Sequence, residues 1–335
     1  MGTGNKKLES YAGVPHLKGD PKYNRLLAQI VNSTRDEASG SFGGFSACYD
    51  LKKFKLKHPI LVSSTDGVGT KLDLARILNK HDTIGIDLVA MSANDLVTCG
   101  AQPVLFLDYF ATGKFDQRQA VEVIRGIAKG CRESGCALLG GETAIMPGFY
   151  EGSKYDLAGF SVGLVERADI IDGKKVRAGH VLLGLESSGF HSNGYSLLRK
   201  VFSKKELSGS IGRKLLVPTR LYVKPVLSLI NSVDVKAIAH ITGGGMVDNL
   251  PRVLPKGLGA RINKGSWPVA PLFAEVAKRA RYTEHQMFHT FNMGIGLVVV
   301  IQTADVKRAQ DVLKKFRICS WEIGLVDRSG KVIIE

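Results

Sequence analysis

Four stretches of this 335-residue chain set glycine beside acidic or hydroxyl side chains at the ends of apolar runs. The first is Thr65-Asp-Gly-Val-Gly-Thr-Lys71. Gly67 and Gly69 let a ligand approach the backbone, Lys71 can pair with phosphate, and Asp66 can hold a metal ion. A Walker loop needs Gly directly before the Lys, and Thr70 stands there instead, so a plain glycine-rich turn is the competing reading. In the second, Asn94-Asp-Leu-Val-Thr-Cys-Gly-Ala-Gln-Pro103, Asp95 interrupts an apolar helical run. An acid there is costly unless it caps, pairs or binds a cation; a satisfied structural Asp is the alternative. The third is Leu139-Gly-Gly-Glu-Thr143, in which a tight turn at Gly140-Gly141 presents Glu142. Asp66, Asp95 and Glu142 together supply hard oxygens of the kind Mg²⁺ shares with nucleotide phosphates.

The fourth stretch pairs Ser187-Ser-Gly-Phe-His-Ser-Asn-Gly-Tyr-Ser196 with Thr242-Gly-Gly-Gly-Met246. Each leads into a helical pattern, where backbone N–H groups and the helix dipole favour an anion such as phosphate. His191 lies in the first of these loops and is a candidate for proton transfer. A structural, hydrogen-bonding histidine is the plainer reading.

These residues need elements to position them. The first ~55 residues are polar and end in Ser41-Phe-Gly-Gly-Phe-Ser46, so they read as a mobile arm rather than core. Strands are expected at Pro59–Thr65, Pro103–Phe110, Cys136–Leu139 and Leu157–Val165, with helices at Asp87–Leu96 and Gln117–Glu133. A charged, turn-rich passage from Glu166 to Gly179 separates two domains, 1–170 and 171–335. The second opens with a strand at Val181–Leu185 and continues through helices at Tyr195–Phe202, Leu221–Ile230 and Leu272–Ala280. It closes with a strand at Gly296–Ile301, a helix at Asp305–Lys315 and a C-terminal strand pair. Both halves mix strands and helices without strict alternation, which makes the fold α+β, a two-domain α/β chain.

Composition narrows the function. With 44% hydrophobic and 23% charged residues the chain is neither disordered nor fibrous. Its longest apolar run, Gly294–Ile301, falls far short of the ~20 residues of a membrane span, and no signal-like stretch marks the N-terminus. Five cysteines without a C-x-x-C pair point to a reducing cytoplasm. The net charge of +15 invites a nucleic-acid reading, but the lysines occur as scattered pairs without interleaved aromatics. Small anionic substrates are expected instead, with neither nucleic acid nor membrane as partner.

The pattern Asp95-x-x-x-x-Gly100-Ala101-Gln102-Pro103 resembles the ATP-binding aminoimidazole ribonucleotide synthetase superfamily, and within it the cyclo-ligases of purine biosynthesis. Further similar stretches are Asp66–Leu72, His81–Met91, Leu107–Lys114, Gly140–Gly148, Ser188–Ser196, Pro218–Lys224, His240–Gly245 and Phe291–Gly296. Together they cover the chain from about Gly43 onward. The resemblance implies an N-terminal domain that gives strands to a β-barrel shared by a homodimer, and a C-terminal mixed sheet flanked by helices. It implies ATP and Mg²⁺ as cofactors, with room for K⁺, and formylglycinamidine ribonucleotide as substrate. Carried over, Asp66, Asp95 and Glu142 are metal ligands, and Gly67, Gly69, Thr70, Lys71, Asn94, Gly141 and Thr143 surround the nucleotide. Ser188, His191, Asn193, Thr242, Gly243 and Gly244 face the substrate, and His191, Lys71 and Asp95 serve catalysis. Two departures stand out. Leu26–Ile30 lacks the lysine some members carry near ATP, and the passage from Ser203 to Val217 reads as a trimmed surface loop.

Overall fold

The computed structural model describes residues 20–40 and 45–335, so most of Ser41–Ser46 and all of residues 1–19 lie outside it. The described chain divides into two compact units. One runs to Leu96 and resumes over Gln102–Arg167; the other comprises Val97–Ala101 and Ala168–Glu335.

In the first unit, strands β1 (Pro59–Gly67), β2 (Gln102–Thr112), β3 (Ala137–Ile145) and β4 (Tyr155–Glu166) form one sheet in the order β1-β4-β2-β3. β4 runs antiparallel to both neighbours, and β2 and β3 are parallel. The parallel pair requires a crossover, supplied by a helix at Gln117–Ser134. That helix starts where the Asp116 carboxylate accepts the Gln119 N–H at 3.0 Å, and it stops at Gly135 in the left-handed region. Between these ends Ala120, Val123, Ile124, Ile127, Ala128 and Cys131 form the buried stripe. Helices at Lys71–Leu78 and Ile84–Thr98 complete this part of the unit.

Helix α1 (Pro21–Asn32) corrects the reading of the N-terminal region as a bare arm. Asp20 caps it, Pro21 fits its first turn, and Tyr23, Leu27 and Val31 are buried at a four-residue spacing. Between those three positions Leu26, Ala28 and Ile30 alternate with Asn24, Arg25 and Gln29, so the buried stripe is not set off by its neighbours in the sequence. In order, the other α-helices described here are α2 (Lys71–Leu78), α3 (Ile84–Thr98, which groups with this unit as far as Leu96) and α4 (Gln117–Ser134).

The second unit is built on a six-stranded mixed sheet. Its strands are β5 (Val181–Glu186), β6 (Ala237–His240), β7 (Gly259–Ile262), β8 (Ile295–Ile301), β9 (Ser320–Asp327) and β10 (Val332–Ile334), in the order β10-β7-β9-β5-β8-β6. The last two strands are not partners of one another, since β7 lies between them. Every residue of β8 is buried, which explains its unbroken apolar run. Helices α5 (Tyr195–Val201), α6 (Lys204–Leu207), α7 (Ser210–Leu215), α8 (Val223–Ile230), α9 (Gly245–Asn249), α10 (Pro271–Ala280), α11 (Glu284–Thr290) and α12 (Val306–Lys315) accompany it. Val181, Leu183, Leu185, Leu297, Val299 and Ile301 of the sheet pack with Tyr222, Val226, Leu229, Ala309 and Leu313 in one apolar core. The passage from Ser203 to Val217 is therefore not a trimmed loop. It holds α6 and α7, with Leu207, Leu215 and Leu216 buried.

Candidate active site

In the first unit, strand register decides which side chains meet. Asp66, Gly159, Asp108 and Gly141 lie in one row across the sheet, and Gly67, Ala158, Tyr109 and Glu142 in the next. Successive residues of a strand point to opposite faces, so Asp66 and Asp108 share the helix-covered face while Glu142 points to the other. Burial agrees: Asp108 is 4% exposed, whereas Glu142 is exposed. The three carboxylates read from the sequence therefore do not converge within this unit. Among the described residues, no group of three or more His, Cys, Asp or Glu is placed to hold a metal ion. The tight turn expected at Gly140-Gly141 is instead the middle of β3, because pairing with β2 continues from Leu107 to Thr112. Gly141 is needed there for space: a Cβ would sit 2.3 Å from Asp108 Oδ1.

The covered face is polar where α3 crosses it. Asp87 and Asn94, seven residues apart on that helix, are fully buried, and Asp95 accepts a hydrogen bond from Ser64 Oγ at 3.3 Å. Ser64 and Asp66 are two apart on β1, so Asp66 and Asp95 are brought to the same face. Asp66 Oδ1 accepts the Gly67 N–H at 2.8 Å. Lys71 opens α2 and turns inward, its ammonium 2.9 Å from Asp87 Oδ1 with both side chains fully buried. Burial pulls the Lys71 pKa down, and the Asp87 carboxylate pulls against it. Lys71 is thus engaged as an internal ion pair rather than extended towards solvent phosphate. Thr70 directly precedes it, Thr143 is buried on the covered side of β3, and the space around Gly69 is open, with nothing within 4 Å of its Cβ position. Sequence reasoning assigned no role to Asp87 or Asp108. An acid inside the apolar run Pro103–Phe110 was the available signal for Asp108.

In the second unit the two glycine-rich loops abut: Asn193 Oδ1 lies 3.4 Å from the Cβ position of Gly243. The helices that follow are short, seven residues for α5 and five for α9, so backbone N–H groups rather than a long dipole are what the loops offer an anion. Gly244 adopts φ +88° as the residue before α9. Asn249 Nδ2 donates to the carbonyls of Gly243 and Gly245 at 3.1 and 2.8 Å, and Thr242 Oγ1 lies 3.5 Å from Asn249 Oδ1. Asn292 performs the same service for the other loop, donating to the Gly189 carbonyl at 2.8 Å.

His191 is 1% exposed at φ +60°, and its Nε2 accepts the Ser188 N–H at 3.1 Å. In the neutral ring that contact assigns the proton to Nδ1. Gly296 is required behind it, because a Cβ there would lie 2.3 Å from His191 Cε1 and 2.2 Å from the Tyr222 hydroxyl. The imidazole therefore braces the loop from inside. Ser188 Oγ in turn donates to the Pro218 carbonyl at 2.6 Å.

Known proteins match along the whole of this frame. The family described as AIR synthase related protein, N-terminal domain, matches residues 47–165, and its C-terminal domain matches residues 177–335. A phosphoribosylformylglycinamidine cyclo-ligase of Methylobacillus flagellatus is 49% identical over 326 residues, covering 95% of this chain and 94% of the relative. One from Bacillus thuringiensis is 49% identical over 306 residues, 88% of each chain. Among solved structures, the hydrogenase maturation protein HypE in complex with ATP aligns with TM-score 0.70 at 19% identity, over 97% of this chain and 93% of that one. Thiamine-monophosphate kinase from Stenotrophomonas maltophilia aligns with TM-score 0.68 at 16% identity, over 92% and 95%. At those identities the structural likeness concerns the fold. Identity near one half over nearly the full length carries more, and the chain belongs to the phosphoribosylformylglycinamidine cyclo-ligase family.

Proposed function

We propose that this chain closes the imidazole ring of aminoimidazole ribonucleotide from formylglycinamidine ribonucleotide, converting ATP to ADP and phosphate. The observation that carries the reading is 49% identity over 95% of the chain to a relative of that name. A formyl oxygen is a poor leaving group, so the amidine nitrogen needs an activated carbon to attack. Transfer of the γ-phosphoryl group to that oxygen gives an imidophosphate; the nitrogen then adds to the carbon, and phosphate departs with the oxygen. The protein's work is to hold two anionic ligands in line and balance their charge.

ATP belongs to the first unit. Gly69, with open space around it, and Thr70 give the phosphates an approach to the backbone, Gly67 closes β1 beside them, and Asp66 and Asp95 are the carboxylates this chain offers a magnesium ion. One or two carboxylates suffice for that ion when phosphates supply the other oxygens. Bound with the nucleotide, Mg²⁺ would neutralise charge on the phosphates. Lys71, Asp87 and Asn94 set the positions of α2 and α3 beneath them, and K⁺ remains a second candidate cation. The substrate belongs to the second unit, with Ser188, Asn193 and the Thr242–Gly244 backbone facing its ribose phosphate.

The working form is a homodimer. Leu61, Phe160 and Leu107 are 66%, 43% and 36% exposed and lie on the uncovered face of the first sheet, where Glu142 also points. A second copy would cover that face and give Glu142 neighbours it lacks in one subunit. No described helix is long and apolar enough to cross a membrane, and a cytoplasmic enzyme handling small phosphates accords with the scattered basic charge. The test is a coupled assay for aminoimidazole ribonucleotide with and without ATP. Product should require ATP, and Asp95→Asn should lower kcat by about 100-fold or more, as loss of an electrostatic group at the reacting phosphate does. ATP-independent product, or an unchanged Asp95→Asn, would remove the assignment.

A further inference from the structure

Both glycine-rich loops of the second unit rest on one turn, Phe291–Gly294, between α11 and β8. Phe291 is fully buried, and its ring lies against Gly194, where a Cβ would come within 2.1 Å of Cε1. The carbonyl oxygens of Phe291 and Phe288 lie 3.0 and 1.9 Å from the Cβ position of Gly245. One residue therefore meets both loops. Asn292, 3% exposed, takes the other end of the first loop, its Nδ2 donating to the Gly189 carbonyl at 2.8 Å. The Ser187 hydroxyl is a second donor to that carbonyl, at 2.9 Å. Within the turn, Asn292 Oδ1 accepts the Gly294 N–H at 2.9 Å, and the Met293 carbonyl accepts Trp267 Nε1–H at 2.9 Å. Met293 and Gly294 have φ of +49° and +93°. A non-glycine residue stays in the left-handed region only where its surroundings hold it there, as these contacts do.

We infer that Asn292 is a positioning residue for the phosphorylated substrate: it fixes the Gly189 end of one loop on a turn that also bears the other, so that the two loops act as a single anion site. The inference rests on the ring-closure reading for the identity of the ribonucleotide, whereas the shared support belongs to the second unit alone. Asn193 Oδ1 of the first loop comes within 3.4 Å of the Cβ position of Gly243 in the second, so a phosphate held by both depends on their spacing. Displacements of about 1 Å are enough to weaken such a site severely. Asn249 does the corresponding work on the second loop, donating to the Gly243 and Gly245 carbonyls. Two braces that bear on one site are energetically coupled; two that hold separate loops are not.

The experiment uses full-length protein, with steady-state kinetics and calorimetric titration of ribose 5-phosphate well below each variant's melting temperature. Alanine is the replacement, because a new carboxylate at position 292 would repel phosphate by itself. Asn292→Ala should raise KM for formylglycinamidine ribonucleotide and weaken ribose 5-phosphate by about 10-fold, the size of one well-placed hydrogen bond to a charged group. KM for ATP should stay within about twofold and kcat within about threefold. Asn249→Ala should act in the same direction. The double variant should fall short of the product of the two single losses by about threefold or more. A loss equal to the full product would mark two independent braces and overturn the proposal. So would a lower melting temperature in Asn292→Ala with unchanged KM and ribose 5-phosphate affinity, or an equal rise of KM for both substrates. If Asn292→Ala fails to fold, Ser187→Ala removes the other donor to the Gly189 carbonyl and should weaken ribose 5-phosphate by about 2- to 5-fold; no change there would overturn the proposal. A wild-type protein that shows the coupling but turns over no formylglycinamidine ribonucleotide would refute ring closure and leave the shared anion site standing. One that binds no ribose 5-phosphate would remove the site.

Discussion

The two units place charge differently. In the first, the charges beside the candidate nucleotide site are part of the interior: Lys71 and Asp87 are fully buried on one another beneath the loop that leads into α2. In the second, an apolar core of β5, β8, α8 and α12 residues carries the fold, and the polar site is laid over it in loops. Those loops are tied by hydrogen bonds from Asn249, Asn292 and Ser188. Substitutions around the nucleotide site should therefore disturb folding and function together, whereas many around the substrate site should separate them.

The sharpest break in that comparison comes from Lys71→Ala. It removes the ammonium that faces the buried Asp87 carboxylate and should cost about 3–5 kcal/mol in denaturant unfolding, with activity falling alongside. A loss below about 1 kcal/mol would mean the pair is not structural. Next is Gly141→Ala, whose added Cβ would fall 2.5 Å from the Asp108 backbone oxygen. Overpacking of that kind costs about 1–3 kcal/mol and should lower the melting temperature and the activity together. Gly243→Ala is its counterpart in the second unit. The new methyl would meet only Asn193 Oδ1 at 3.4 Å, so stability should stay within about 0.5 kcal/mol while KM for the ribonucleotide rises several-fold. If Gly243→Ala destabilised as much as Gly141→Ala, the contrast between the units would fail.

The smallest effect concerns pH. The Ser203 backbone N–H and hydroxyl, with Arg279, hold the Glu206 carboxyl down to about 2 from an ordinary 4.5. In that interval the unfolded chain binds more protons than the native one, so this contribution is present above pH 4.5 and is lost as pH falls towards 2. Unfolding curves of Glu206→Gln should show a shallower acid slope than the wild type over the same window.

Much of the frame is legible in the sequence, because its long elements have strong periods and clear ends. The α4 stripe from Ala120 to Cys131 is one such case, with Asp116 before it and Gly135 after it. The apolar run of β8 is another. Other elements are less legible. α1 mixes its three buried side chains with both polar and apolar neighbours, and β6 and β7, four residues each, have no room to display a period. At the site, residue identity carried further than geometry. Asp66 and Asp95 do share a face, but Glu142 lies on the other, because the face of a strand residue depends on a register that only pairing with β2 defines. His191 was legible as a residue of a glycine-rich loop, while its inward turn depends on Gly296 and Tyr222, more than thirty positions away in the chain.

The central claim is that the formyl oxygen leaves as part of inorganic phosphate after taking the γ-phosphoryl group of ATP, and a heavy-oxygen label in that group of formylglycinamidine ribonucleotide tests it directly. Mass analysis of the products after turnover with unlabelled ATP should find the label in inorganic phosphate and none in the water. Label released to water, or phosphate formed without it, would contradict the account.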